Sequence, residues 1–205
     1  MVQLWRSFSR LIPLVVVVGG VAFVVAAWVG WERAGSRRTW AAVRRACYDG
    51  AFAVWVVAVA VITLSPGAGA GAGLPGMEPS VRMVPFADLA DLLTSSVHWE
   101  VPLVQIGGNL ALFAAGGALT VLRGRSGVLR TASIYFAVGV VIESIQYVIG
   151  GRSAVVDDVI LAGVGAGIGA AFVIVARRLT ARGDRRAAVP QAAGAAAGAG
   201  VSDDD

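Results

Sequence analysis

Five apolar runs divide this chain, and its charges stand almost entirely between them. The first runs from Leu11 to Trp31. About 20 apolar residues cross the hydrocarbon core of a bilayer, so this run is long enough to span. The second covers Ala51 to Leu64, with a start nearer Cys47 placing Asp49 at the interface. The third covers Val101 to Leu122, the fourth Thr131 to Ile149 and the fifth Ala154 to Ala176. The fold class this pattern predicts is all-α, a polytopic transmembrane helical bundle of about five spans.

The stretches between the runs add detail. Residues 32–49 are basic, and the Arg pairs at 37/38 and 44/45 recur at heptad distance opposite Trp40 and Val43. Ser36 is placed to cap a short helix from Arg37. Two readings stand: an amphipathic segment on an anionic leaflet, or an ordinary basic loop. The long loop, residues 65–103, opens with the flexible composition PGAGAGAGLPG. Further on, Phe86, Leu89, Leu92 and Leu93 recur at helical spacing, with Asp88 and Asp91 on another side. A short interfacial helix is predicted there. His98 is the only histidine and reads as an interfacial polar residue. The fifth run carries Gly163, Gly165, Gly167 and Gly169, two overlapping small-residue faces that favour close helix packing. The organisation expected is an N-terminal span with its basic loop over residues 1–46 and a transmembrane domain over 47–176. A basic, then disordered tail follows over 177–205, with the disorder from Ala187.

Composition agrees with the pattern. The 205 residues are 57% hydrophobic and 15% charged, and mean hydropathy is +0.76. That lies far from a soluble domain. The net charge of +4 comes from 17 basic residues, all of them arginine, and they flank apolar runs. They therefore speak for membrane topology and not for nucleic acid. The lone Cys47 excludes an intrachain disulfide and any multi-cysteine metal site. A basic start before an apolar run also fits a cleaved signal peptide. Against that, five arginines follow Trp31 closely, like a stop-transfer flank.

Arginine distribution sets the expected orientation. Loops 32–49, 123–130 and 177–186 hold five, three and five; residues 1–10, the long loop and the 150–153 turn hold two, one and one. The richer set should be cytoplasmic. The expected location is the plasma membrane, multi-pass, with the N-terminus outside and the C-terminus cytoplasmic.

Candidate chemistry then falls in one layer. Glu143 lies six residues before Ile149, roughly 9 Å below the outer end of the fourth span. Gln146 shares its face. Asp157 and Asp158 open the fifth span, Asn109 lies early in the third, Arg152 sits in the turn and Arg82 in the long loop. Carboxylates at membrane depth are costly and mark a functional-site hypothesis by default. Asp157 and Asp158 diverge by about 100° on a helix, so only one can face Glu143. Arg152 is expected to pair with one of them. The candidate ligand-binding set is Arg82, Asn109, Glu143, Gln146, Arg152, Asp157 and Asp158, with no catalytic set, no metal set and no cofactor.

These residues resemble the VanZ-like family of bacterial membrane proteins. The matching pieces are Arg82, Pro85 and Phe86; Gly108, Asn109, Phe113 and Gly117; Ile142, Glu143 and Gln146; and Arg152, Asp157, Asp158, Gly165 and Gly169. The resemblance covers about residues 50–176. The chain departs from the pattern where the family has Pro (Ala115), Asn (Ala162) and often Ser (Gly139). For the family's namesake the resemblance implies reduced susceptibility to glycopeptides such as teicoplanin, and it implies no established reaction.

Several readings remain open at this stage. The first is a non-enzymatic protein whose outer-leaflet site binds a membrane lipid, a lipid-linked cell-wall precursor or a glycopeptide. The second is an enzyme using the carboxylates as acid and base or to hold a divalent cation. Against it, the chain has no Ser–His pair, no placed Cys nucleophile and no Lys. The third is a buried polar network that only fixes helix register. A transporter is disfavoured by the span count, although an oligomer could build a path.

Overall fold

The computed structural model describes residues 11–35, 39–64, 81–95, 103–124, 126–150 and 153–199. Among these residues, six α-helices follow in order: α1 (Leu11–Ala34), α2 (Trp40–Leu64), α3 (Ala87–Ser95), α4 (Gly108–Arg123), α5 (Val128–Gly150) and α6 (Val156–Ala199). A π-helical turn, Leu103–Gly107, leads into α4. Two short strands, β1 (Val81–Arg82) and β2 (Ala154–Val155), pair in parallel. Among the described residues, five helices are long and apolar enough to cross a membrane: α1, α2, α4 with its π turn, α5 and α6. The expected all-α bundle with a short helix in the long loop is the fold observed.

Helix boundaries depart from the apolar runs in three places. α2 begins at Trp40, so the basic stretch from 40 to 49 is continuous with the second span and is neither a separate segment nor a loop. Thr39 explains the start: its Oγ1 accepts the Ala42 N–H at 3.4 Å, the usual work of an N-cap side chain. Arginine stems can then run along the helix while their heads stay in water. Ser36, the expected cap, lies outside the described residues, as do His98 and the PGAGAGAGLPG stretch. α5 starts at Val128, three residues early. α6 continues to Ala199, through the segment whose composition suggested disorder. Alanine is the strongest helix former, and it dominates this stretch.

Packing makes α6 the pillar. Half of its spanning window is buried, against 6% for α1. α6 packs on α4 and α5, while α1 packs on α2. A Cβ at Gly117 would sit 2.1 Å from the Ala166 carbonyl oxygen, and one at Gly169 would sit 1.8 Å from that of Ala114. The α4–α6 contact is therefore backbone on backbone, the close approach that small residues allow in a membrane.

Aromatic rings fill the other seam. Trp55, Phe113 and Tyr135 meet edge to face, and the Trp55 indole N–H donates to the Leu112 carbonyl at 2.7 Å. In contrast, Val16, Val17, Val21, Val24 and Trp28 of α1 are exposed. An apolar surface of that kind suits acyl chains.

Candidate functional site

Alternation of the helices brings the end of α2, the start of α4, the end of α5 and the start of α6 to one end of the bundle. Two cross-helix bonds fix that end. The Gln146 side-chain amide donates to the Thr63 carbonyl, and the Asn109 amide donates to Asp158 Oδ1 at 3.1 Å. At the opposite end gather Arg33 of α1, Arg44 and Arg45 of α2, Arg123 of α4, Arg130 of α5, and Arg177 and Arg178 of α6. Arg123 Nε donates to Asp49 at 2.5 Å, and Arg177 donates to the Leu122 carbonyl at 3.4 Å. The bundle is thus acidic and amide-rich at one end and arginine-rich at the other.

Asp157 organises the acidic end. It is 1% exposed, and its two oxygens accept backbone N–H groups of the long loop, Phe86 at 2.6 Å and Leu89 at 3.0 Å. These amides open α3. A helix leaves its first N–H groups without internal partners, and here a carboxylate about 70 residues away supplies the acceptor. The positive pole of the helix favours the same charge. The docked conformation is unusual, because Phe86 has φ +65°, a region costly for a residue with a large side chain. The cap and the adjacent β1–β2 pairing hold the loop there.

Glu143 braces the other side of the same junction. It is buried, and its Oε2 accepts the Val155 N–H of β2 at 2.8 Å. One carboxylate therefore holds the strand that begins the last span, and another holds the loop paired to that strand. Arg82 of β1 pairs with Asp88. Hydrogen bonding and charge from Asp88 raise the Arg82 pKa above its already high ordinary value. Arg82, Asp88 and Asp91 line an open groove of about 350 Å³ together with Val84 and Met83. Val84 and Met83 are 67% and 71% exposed, so the groove joins charge to an apolar rim.

The predicted set divides accordingly. Asn109 and Asp158 meet directly, while Asp157, Glu143 and Arg82 converge on the β1–β2 junction. Gln146 is three residues from Glu143 but turns to α2, since a 60° difference around α5 is enough to face a different neighbour. Arg152 lies outside the described residues. Asp157 and Asp158 do diverge, one to the loop and one to α4.

Sequence reasoning missed the amides of Phe86 and Leu89, the Thr63 carbonyl and Gln105. Backbone groups leave no mark in a sequence. Gln105 sits in the π turn, one turn before Asn109, and its Oε1 is buried without a hydrogen-bond partner among the described residues. A polar residue one turn from Asn109 on the same face was the available signal.

Two of the departures from the family pattern touch. A Cβ at Gly139 would lie 3.3 Å from the Ala162 Cβ, and Ala162 is fully buried. The α5–α6 seam below Glu143 is closed by two small residues at the positions where the resemblance leads one to expect a hydroxyl and an amide. Ala115 is exposed on α4, away from that seam.

Residues 52–177, more than half of the chain, match a family model described as VanZ/LLP1. No curated protein and no solved structure matches.

Proposed function

The chain belongs to the VanZ/LLP1 family, and on that premise we propose that it works, without catalysing a reaction, at the outer face of the plasma membrane in cell-envelope physiology. It is a multi-pass membrane protein. In the proposed orientation the arginine-rich end is cytoplasmic, following the excess of arginine in cytoplasmic loops. The acidic end, the N-terminus and α3 are then outside, and the C-terminus is inside. The effect proposed is lowered susceptibility to glycopeptides such as teicoplanin.

One observation carries this reading. An open groove at the acidic end combines Arg82, Asp88 and Asp91 with the exposed apolar side chains of Met83 and Val84. Polar groups beside exposed apolar ones suit an amphiphile: a membrane lipid, a lipid-linked cell-wall precursor or a lipoglycopeptide. At the same end of the bundle, Asn109 of α4 donates to Asp158 of α6.

A second reading has its own support. Asp157 and Glu143 accept backbone N–H groups, and Gln146 donates to a backbone carbonyl. These contacts are what a purely structural brace requires. Glu143→Gln separates the two, because glutamine keeps an acceptor for Val155 while removing the charge. The strain to use overexpresses the protein and is challenged with teicoplanin. Normal accumulation with loss of the resistance phenotype supports a functional charge at the outer face. Normal accumulation with the phenotype intact supports the brace.

A further inference from the structure

The arginine-rich end contains a furrow that the outer-face reading does not use. α1 and α4 both pack on α2, and they stand on either side of it. The furrow left between them has a volume of about 210 Å³; its apolar lining includes Ala26, Val29 and Phe52, and its charged rim is Arg33, Asp49 and Arg123. α1 and Asp49 precede residue 52, where the family match begins. The furrow thus lies between the matched region and the chain that precedes it.

The rim is built for an anion. Arg123 lies over the Phe52 ring, its guanidinium carbon 4.3 Å from the ring centroid, and its Nε donates to Asp49. Ring and carboxylate fix the guanidinium plane and leave its two Nη groups as the remaining donor edge. A fixed guanidinium edge matches phosphate oxygens in paired fashion. Arg33 supplies a second guanidinium from the last turn of α1. Two arginines against one aspartate leave the rim with a net charge of +1. The wall below is apolar, formed by Ala26, Val29 and Phe52.

We infer that this furrow holds one anionic phospholipid, with its phosphate between Arg33 and Arg123 and an acyl chain lying in the groove between α1 and α4 on Phe52. Charge complementarity selects the headgroup, and the apolar wall selects a lipid over a free phosphate. Asp49 accepts a hydroxyl of a glycerol-type headgroup and disfavours a second negative charge. Basic pockets between spanning helices at the cytoplasmic side take headgroups by this chemistry. The site is independent of the acidic end, so the teicoplanin phenotype and lipid retention can fail separately.

Native mass spectrometry of the full chain, released from vesicles of equal phosphatidylglycerol and phosphatidylcholine, tests the inference. One phosphatidylglycerol per chain should be retained in preference to phosphatidylcholine. Arg33→Gln should lower that retention about fivefold, the effect of one arginine near a headgroup. Arg33 makes no bond that folding needs among the described residues, so the variant should accumulate normally. Arg178→Gln, at the same end but off the furrow, should retain lipid as the parent does. Equal retention of the two lipids, an unchanged Arg33→Gln, an equal loss in Arg178→Gln, or displacement by millimolar inorganic phosphate would each overturn the site.

Discussion

Asp157→Asn tests the trans-cap directly, because it changes one atom and leaves volume untouched. The carboxylate accepts two N–H groups, from Phe86 at 2.6 Å and Leu89 at 3.0 Å. Asparagine keeps one acceptor oxygen and presents an NH₂ to the other amide, so one of the two bonds must be lost. A hydrogen bond to a charged group is worth about 1.5–3 kcal/mol, and an amide left buried without a partner costs a similar amount. The strained φ of Phe86 adds to the drive to undock, at about 1–3 kcal/mol for such a residue. A loss of about 3 kcal/mol raises the undocked population of residues 81–95 about a hundredfold. Asp158→Asn is the matched control. Asn109 of α4 donates to it, and asparagine can still accept that bond, so residues 81–95 should stay docked in this variant. Limited proteolysis and hydrogen exchange of the 81–95 segment in detergent read the difference. If Asp157→Asn and Asp158→Asn protect the segment equally, the trans-cap account is wrong.

Other outcomes follow from the packing. Gly169→Val should abolish folded protein in the membrane, at a cost above about 3 kcal/mol, because its Cβ would meet the Ala114 carbonyl oxygen. Gly20→Ala, at a position with open space around it, should leave accumulation unchanged. Trp55→Phe removes the indole donor to Leu112 and part of the aromatic cluster, and a melt followed by size-exclusion chromatography should show a loss of about 2 kcal/mol. Ala162→Asn should destabilise, since the site is fully buried against Gly139; pairing the amide with Gly139→Ser should recover less than the loss if the seam has no room for both.

The spans were legible because hydrocarbon leaves little choice: a long apolar run must be a helix with its backbone bonds internal. The small-residue faces of α6 were legible too, and the structure shows Gly165 and Gly169 against α4 and Gly163 and Gly167 against α5. The backward extension of α2 to Trp40 was obscured by its arginines, which read as loop composition although their stems suit a helix. The β1–β2 pair was invisible, because two residues from each of two distant segments carry no periodicity. Its consequence was invisible with it. Asp157 was readable as an expensive buried charge in search of a partner, but its partners are main-chain amides made available only when the loop folds over the bundle. Glu143 and Gln146 show the limit of face arguments, since neighbours on one helix face serve β2 and α2 respectively.

Orientation is the premise on which the outer-face function stands, and labelling of thiols in intact cells measures it. Cys47 is exposed at the arginine-rich end, and Met83 is exposed at the acidic end. An impermeant maleimide should label a Met83→Cys variant without lysis and should leave Cys47 of the parent unlabelled until the membrane is opened. Labelling of Cys47 in intact cells, with the Met83→Cys thiol protected, would contradict the account.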